Sequence, residues 1–215
     1  MITSRKADAC ARVAAELSAA TGRNTFAHAC HVGNWEQVGE LVDAAYSRFG
    51  KIDILINNAG MSPLYDSLEE INEALYDKVL DVNLKGPFRL CALAGSRMVA
   101  GGGGSIVNIS SVASLNPSPD YLPYAAAKAG LNAITVGFAK AYGPSVRVNS
   151  IVAGRFRTDI SQSWDVDEVT RRVEQATALR RMGEPSEIRG TVLYLVSELS
   201  TFTTGALLRV DGGSS

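Results

Sequence analysis

The chain alternates between segments with a helical spacing of apolar residues and short, continuous apolar runs. In the first segment, for example, Cys10, Val13 and Leu17 fall on one face of a predicted amphipathic helix. Short runs rich in β-branched residues, bounded by polar residues or glycine, predict strands. The predicted helices are Ala7 to Ala20, Asn34 to Phe49, Glu69 to Val99, Tyr121 to Tyr142 and Pro185 to Glu198. The predicted strands are Thr25 to Val32, Asp53 to Asn57, Ser105 to Ser110, Val146 to Ile151 and Ala206 to Val210.

Local signals support several of these boundaries. Asn34 is a suitable N-cap for the second helix, and Gly50 closes it. The pair Gly86-Pro87 predicts a bend within the long third helix. The run Asp53 to Asn57 is apolar enough to predict a buried strand. Strands that alternate with helices predict an α/β protein with a doubly wound parallel sheet, in one domain that spans residues 1–215.

Composition narrows the classes of function. With 215 residues, of which 46% are hydrophobic and 20% charged, the chain can bury a sizeable core. The formal net charge of -1 argues against binding to nucleic acid or to a membrane surface. No apolar run approaches the length of a membrane span, and the start lacks the apolar core of a signal peptide. Cys10, Cys30 and Cys91 match no metal-ligand pattern, which predicts no metal site and a reduced, cytoplasmic setting.

The most informative local pattern is the run from Tyr124 to Lys128, within the fourth predicted helix. Residues four apart share one face of a helix, so the Lys128 ammonium is expected beside the Tyr124 phenol. A neighbouring positive charge favours the phenolate and lowers the pKa of a tyrosine from its usual value of about 10. Such a tyrosine can exchange a proton with a carbonyl/alcohol pair, although the same spacing also occurs between ordinary exposed neighbours.

Further motifs surround this pair in a fixed order. They are Asn57-Asn58-Ala59-Gly60, Asp81-Val82-Asn83, Ser111, Val146-Arg147-Val148-Asn149-Ser150-Ile151, Gly154 with Thr158, and Val210-Asp211-Gly212-Gly213. This order resembles the short-chain dehydrogenase/reductase (SDR) family, and within it the 3-oxoacyl-carrier-protein-reductase-like branch, over essentially the whole chain. The resemblance implies a Rossmann-like fold and an oxidoreductase that transfers a hydride between NADP(H) and a carbonyl or secondary alcohol. Extended sugar-nucleotide epimerases share Y-x-x-x-K, but the terminal V-D-G-G and the short chain argue against them.

The resemblance assigns catalytic roles to four residues. Tyr124 would be the general acid or base, and Lys128 would lower its pKa and bind the nicotinamide ribose. Ser111 would orient the substrate carbonyl, and Asn83 would hold a water that links Lys128 to solvent. Taken alone, Ser111 could equally be a strand-end hydroxyl that caps the backbone, and Asn83 a polar residue within a helix.

Cofactor-binding residues follow from the same resemblance. NAD-preferring relatives end the second strand of the family on an acidic residue, whereas this chain has Ser4 and Arg5 there. A guanidinium matches a 2′-phosphate, so NADP(H) is the preferred cofactor and NAD(H) is possible, unless these residues are simply a solvated basic start. The other predicted cofactor-binding residues are His31, Val32, Asn58, Ala59, Gly60, Tyr124, Lys128, Gly154, Phe156 and Thr158.

Two positions depart from the family pattern. The family usually has an aspartate facing the adenine amino group where this chain has His31, whose imidazole could accept that hydrogen bond only when neutral. Ala153 precedes Gly154 where a proline-glycine step is usual, which loosens the turn expected to position the nicotinamide. Residues 155–181 correspond to the variable lid, where Phe156, Ile160 and Trp164 are apolar. Together with their basic neighbours, Arg172 among them, they could bind a 3-oxoacyl group on an acidic carrier or another ketone. The basic residues could also simply form a solvated helix face.

The glycine-rich turn of the family is absent from this sequence. In the family a strand, a T-G-x-x-x-G-x-G turn and a helix come first and hold the pyrophosphate. Here Met1 to Lys6 resembles the end of the second strand, so the sheet should contain a gap at its centre. The run Gly101 to Gly104 leads from a helix into a strand and predicts a turn, not a phosphate loop. The chain is interpreted as a fragment or misplaced start of a longer protein, or as a natural truncation.

Two functional hypotheses follow. The first is an active oxidoreductase whose partner is a small-molecule carbonyl or alcohol. The second is a non-catalytic truncated SDR chain that acts only as an oligomer partner. The resemblance also implies that the helices after Asn83 and around Tyr124 pair between subunits, which gives a homotetramer or dimer.

Overall fold

The computed structural model describes residues 1–158, 171 and 173–214, in which strands and helices alternate. The strands are β1 (Ile2–Ser4), β2 (Ala27–Ala29), β3 (Ile54–Asn57), β4 (Gly104–Ser111), β5 (Val146–Ala153) and β6 (Leu207–Val210). The helices are α1 (Ala7–Thr21), α2 (Trp35–Phe49), α3 (Glu73–Leu80), α4 (Gly86–Ala100), α5 (Leu122–Tyr142) and α6 (Arg189–Val196). The paired strands are parallel, so the predicted α/β, Rossmann-like fold with helices flanking a parallel sheet is confirmed.

The strands form two separate parallel blocks. β1 pairs with β2, and β3, β4, β5 and β6 follow one another in a second sheet. No pairing joins β1 to β3 in the part of the chain that the structure describes, and this division is what the absence of a central strand predicts. Helices connect the blocks: Leu41 of α2 and Leu90 of α4 are buried together with Cys30, and Leu55 of β3 packs against them.

β3 is not the buried strand that its sequence predicts. The side chains of Ile54 and Ile56 are 46% and 43% exposed. β3 is hydrogen-bonded to β4 on one side only, so its other edge has no strand neighbour among the described residues. The main core lies instead around β4 and β5, where Ile106 and Val148 pack with Met98 of α4.

The predicted helix Glu69 to Val99 is wrong at its start. A 3-10 turn occupies Leu68–Glu70, and α3 begins only at Glu73. Asn72 caps α3, because its side-chain oxygen accepts a hydrogen bond from the N–H of Leu75 at 2.9 Å. An asparagine that caps a helix satisfies an otherwise unpaired N–H, so the preceding residues are excluded from the helix.

The middle of that segment contains a wide helical turn instead of the predicted bend at Gly86-Pro87. A π-helical turn spans Asp81–Lys85, and backbone angles stay helical on either side of it. Gly86 then begins α4 against the backbone that follows β2. A Cβ at Gly86 would lie 2.1 Å from the carbonyl oxygen of Val32, so only glycine allows this approach.

Other sequence predictions are confirmed or shortened. The side chain of Asn34 accepts from the N–H of Gln37 at 2.9 Å, and Gly50 ends α2 with a φ of 76°. The glycine run after α4 is a turn, as predicted, with left-handed backbone at its second and third glycines. Residues 185–188 form turns, so the predicted helix Pro185 to Glu198 is too long at both ends. Within the described residues, no helix is long and apolar enough to cross a membrane.

Candidate active site

The carboxyl ends of the parallel strands carry most of the predicted site residues. β3 ends at Asn57 and continues into Asn58, β4 ends at Ser111, and β5 ends just before Gly154. Ser111 is paired with Ala153 in the sheet register, which makes the ends of β4 and β5 direct neighbours. In doubly wound sheets, ligands bind outside this edge.

α5 brings the Tyr124 and Lys128 side chains to this edge. Ala125 and Ala127 are buried, and their small side chains let the helix pack closely on the sheet. Lys128 is only 4% exposed, and its Nζ donates to the carbonyl oxygen of Ile109 in β4 at 2.8 Å. The same Nζ lies 5.6 Å from the centroid of the Tyr124 ring, so the predicted juxtaposition of the two side chains is present.

The electrostatics of the pair differ from the sequence prediction. Burial raises the pKa of Tyr124, and its hydrogen bond with Ser111 offsets part of that increase. Burial also lowers the pKa of Lys128 from 10.5 to about 8. The pKa of Tyr124 is thus raised where the sequence predicts a lowered one, because burial disfavours the charged forms of both side chains. A lysine that titrates near neutral pH is well suited to receive and return a proton.

Ser111 caps the backbone, which is one of the two roles considered for it, and it also contacts Tyr124. Its hydroxyl oxygen accepts from the N–H of Ala113 at 3.2 Å, so it caps the short 3-10 turn that follows β4. The hydroxyl is also hydrogen-bonded with Tyr124. The capping bond fixes the position of the oxygen from which a carbonyl could be held.

Asn83 lies in the π-helical turn and is fully buried. Its Nδ2 donates to the carbonyl oxygens of Val79 and Met61 at 2.9 and 2.8 Å, and its Oδ1 accepts from the N–H of Met61 at 3.2 Å. One N–H and the Oδ1 therefore anchor the segment after β3 at Met61, while the other N–H donates back to Val79 in α3. A Cβ at Gly60 would meet Asn83 Oδ1 at 3.0 Å and Lys128 Nζ at 3.5 Å, so glycine brings this backbone against both residues.

The predicted cofactor residues of the first block lie at the ends of β1 and β2. Ser4 accepts from the N–H of Lys6 at 3.2 Å, and Arg5 is exposed beside it. The Nδ1 of His31 already accepts from the N–H of Gly33 at 3.1 Å. The remaining ring nitrogen of a neutral His31, Nε2, then carries the proton, so in this arrangement it would offer a donor to the base instead of the expected acceptor.

The residues after β5 have uneven surroundings. The N–H of Gly154 donates to the carbonyl of Val210 at 2.9 Å, and a Cβ at Gly154 would lie 2.6 Å from the Cα of Asp211. Phe156 bridges to Gly183, and its ring lies directly on that glycine. Thr158, within the predicted lid, is the last described residue before the stretch 159–170. The predicted lid residues Ile160, Trp164 and Arg172 lie outside the described residues. Val32, the other predicted cofactor residue after β2, directs its carbonyl oxygen at Gly86, the first residue of α4.

These residues fit one half of a nicotinamide dinucleotide. Gly60 brings the chain against Lys128, and Gly154 follows β5 at the edge where Ser111 ends β4, so a nicotinamide and its ribose could lie at this edge. The turn after β1 contains Arg5 but no glycine, and within the described part of the chain no glycine-rich turn leads from a strand into a helix. The usual cradle for the pyrophosphate is therefore not among these residues.

Sequence reasoning missed a buried polar network beneath the site. Asn57 Nδ2 donates to Asn108 Oδ1 at 2.8 Å, and Asn108 Nδ2 donates to Thr135 Oγ1 at 2.9 Å. The thiol of Cys91 borders both asparagines, and burial raises its pKa to about 12. The available signal was the presence of Asn57 and Asn108 in apolar strands, because a polar side chain buried in such a strand normally has a hydrogen-bond partner. Tyr65 was also missed, because its partners lie 54 and 57 residues further along the chain.

A parallel sheet that places a serine, a tyrosine and a buried lysine at its carboxyl edge defines a Rossmann-like α/β protein with a site for acid–base chemistry. Comparisons with known proteins make the class specific. The family described as Enoyl-(Acyl carrier protein) reductase matches residues 1–215. Dehydrogenase/reductase SDR family member 4 from Homo sapiens is 34% identical over 216 residues, which cover 100% of this chain and 77% of that protein.

Solved structures agree with this assignment. A 7-alpha-hydroxysteroid dehydrogenase complexed with NADH and 7-oxo glycochenodeoxycholic acid superimposes with a TM-score of 0.93 at 31% identity, over 99% of this chain and 83% of that one. An NADPH-dependent 3-quinuclidinone reductase from Rhodotorula rubra gives a TM-score of 0.91 at 29% identity, over 98% and 79%. The chain belongs to the short-chain dehydrogenase/reductase family of oxidoreductases.

Proposed function

We propose that this protein is an NADP(H)-dependent oxidoreductase that interconverts a carbonyl compound and a secondary alcohol. The observation that carries the proposal is the meeting of Ser111, Tyr124 and a buried Lys128 at the carboxyl edge of the sheet. A buried lysine costs free energy, so its position beside the tyrosine calls for a functional reason.

The three side chains can carry out the proton transfer of a carbonyl reduction. A bound nicotinamide cofactor supplies the hydride when the carbonyl is reduced. The Ser111 hydroxyl donates a hydrogen bond to the carbonyl oxygen, and Tyr124 gives its phenolic proton to that oxygen as negative charge develops there. Lys128 stabilises the resulting phenolate and, with a pKa of about 8, can return a proton to it. Alcohol oxidation uses the same groups in reverse.

Arg5 supports NADP(H) as the preferred cofactor, with NAD(H) as an alternative. It is exposed and follows the last residue of β1, where a 2′-phosphate would meet its guanidinium. One related structure contains NADH and another relative is named as NADPH-dependent, so the family accommodates both. The proposal for this chain therefore rests on Arg5 and not on its relatives.

The second candidate is a non-catalytic chain that serves as an oligomer partner. It would apply if the division between β1 and β3 and the glycine-free turn after β1 left the protein without a pyrophosphate site. Under either candidate we place the protein in the cytoplasm as one domain over residues 1–215. Exposed Phe88 and Val99 on α4 support assembly into a homo-oligomer.

Cofactor titration separates the two candidates. NADPH is added to the purified chain while its fluorescence and melting temperature are followed, and the same titration is made with Arg5→Ser and with the exposed control Arg23→Ser. We expect saturable binding and thermal stabilisation, with NADPH affinity reduced at least about tenfold in Arg5→Ser and unchanged in Arg23→Ser. The titration is repeated with NADH. A folded chain that shows no saturable change with NADPH or with NADH would establish the non-catalytic candidate instead.

A further inference from the structure

Tyr65 connects the segment after β3 to the first turn of α5 through a single hydroxyl group. The hydroxyl oxygen accepts a hydrogen bond from the N–H of Leu122 at 2.8 Å. The same hydroxyl donates its hydrogen to the carbonyl oxygen of Pro119. These two hydrogen bonds, called the Tyr65 bridge below, join the 3-10 turn Pro119–Tyr121 to the first residue of α5.

The bridge takes the place of a local helix cap. The first N–H groups of a helix have no partner within it and are usually met by the side chain of the N-cap residue. Tyr121 is the N-cap of α5, and its side chain makes no capping hydrogen bond. The N–H of Leu122 is instead satisfied by a residue 57 positions earlier in the chain.

The bridged turn is the one that carries the proposed proton donor. Tyr124 is two residues after Leu122, in the first turn of α5, and is hydrogen-bonded with Ser111. Tyr65 and Tyr124 also line the same narrow crevice, together with Leu75 of α3. Leu122 itself is 43% exposed, so its side chain contributes little packing that would hold the start of the helix.

We infer that Tyr65 is a positioning residue, which holds the first turn of α5 so that Tyr124 faces Ser111 and the substrate oxygen. The catalytic consequence rests on the proposed function. A displacement of about 1 Å at a reacting group can reduce a rate by about a hundredfold. Loss of the Tyr65 hydroxyl should let the first turn of α5 shift, and the resulting displacement of Tyr124 should lower kcat. The phenyl ring of Tyr65 fills the crevice in either case, so the hydroxyl can be tested separately.

Tyr65→Phe tests the inference, with Tyr76→Phe as a matched control. Tyr76 lies on neighbouring α3 and is 47% exposed, so its substitution also removes one phenolic hydroxyl close to the site. With NADPH and a saturating ketone, we expect Tyr65→Phe to lower kcat by about tenfold or more and to change the ketone KM by less than about twofold. Tyr76→Phe should match the wild type in both constants.

A spectroscopic measurement tests the bridge without turnover. In chains labelled with carbon-13 at the tyrosine Cζ, the Tyr124 resonance is assigned with Tyr124→Phe and titrated against pH. Since burial is the main cause of the raised pKa of Tyr124, loosening the turn in Tyr65→Phe should move that pKa down toward 10, its ordinary value. Tyr76→Phe should leave the Tyr124 titration where it is in the wild type.

The outcomes separate this inference from the proposed function. A wild-type chain without ketone reduction contradicts the proposed function, and the Tyr124 titration then still decides whether Tyr65 positions the phenol. An active wild type with an equally active Tyr65→Phe, or a Tyr124 titration unchanged in Tyr65→Phe, overturns the role of Tyr65. A lower melting temperature in Tyr65→Phe with unchanged kcat and an unchanged titration would reduce Tyr65 to a structural residue and overturn the inference as well.

Discussion

Replacing Lys128 with methionine should change how the stability of the protein depends on pH. Lys128 is buried, and its Nζ has only the carbonyl oxygen of Ile109 as a hydrogen-bond partner within the described residues. Burial lowers its pKa from 10.5 to about 8. A lowered lysine pKa means that the folded protein binds the proton more weakly than the unfolded chain does.

The size and sign follow from those two values. Between about pH 8 and pH 10.5 the unfolded chain keeps a proton that the folded chain has lost. Proton binding therefore stabilises the unfolded chain at the low-pH end of this window, and it does so less as the pH rises. The free energy of unfolding consequently increases with pH across the window. With one pKa unit equal to about 1.4 kcal/mol, the contribution of Lys128 raises the stability by roughly 2 to 3 kcal/mol between about pH 7 and pH 10. Lys128→Met removes this contribution, whereas the titrations of groups far from Lys128 affect both proteins alike.

Urea unfolding at both pH values measures this difference. The control is Lys140→Met, which removes an exposed lysine from the same helix. We expect the pH-dependent change in unfolding free energy to be roughly 2 to 3 kcal/mol smaller in Lys128→Met than in the wild type, and unchanged in Lys140→Met. Methionine also leaves the Ile109 carbonyl unpaired, so the comparison across pH is more informative than stability at one pH. An identical pH dependence in Lys128→Met and wild type would refute the claim that Lys128 is a desolvated, easily deprotonated base.

Three further predictions concern packing, base recognition and the open strand. Gly86→Ala should destabilise the protein by about 3 kcal/mol in urea unfolding, because its Cβ would lie 2.1 Å from the Val32 carbonyl oxygen; stability equal to wild type would contradict the close approach of α4 to that backbone. If Nε2 of His31 donates to the base, the hypoxanthine analogue of NADPH should bind at least as tightly as NADPH, because its exocyclic oxygen accepts where the adenine amino group donates, and His31→Asp should favour NADPH at least about tenfold; a strong NADPH preference in the wild type would contradict this donor role. Ile56→Lys should reduce association between chains in sedimentation experiments, because a charge blocks an exposed, apolar strand edge; unchanged association would show that β3 is not the contact surface.

Much of the fold could be predicted because its signals are local. The caps at Asn34 and Gly50 and the alternation of strands with helices depend on neighbouring residues, and the structure confirms them. The placement of Tyr124 and Lys128 on one face of a helix is equally local, since it needs only the helical repeat. These features gave the fold class and the core of the candidate site from the sequence.

The errors concern properties that depend on distant parts of the chain. The apolar run of β3 predicts burial, but its exposure depends on whether another strand pairs with it. The π-helical turn around Asn83 has an ordinary helical apolar pattern, and the anchor that Asn83 provides joins it to Met61. The pKa of Tyr124 could not be predicted from Lys128 alone, because burial outweighs the effect of a neighbouring charge.

The central claim is that Ser111, Tyr124 and Lys128 transfer a proton while a nicotinamide cofactor transfers a hydride. Incubation of the chain with a ketone and NADPH deuterated at the transferring position, followed by mass spectrometry of the alcohol, tests it most directly. We predict one deuterium at the new C–H bond and at least about a hundredfold less product with Tyr124→Phe. A folded chain that yields no deuterated alcohol, or a Tyr124→Phe variant as active as the wild type, would contradict it.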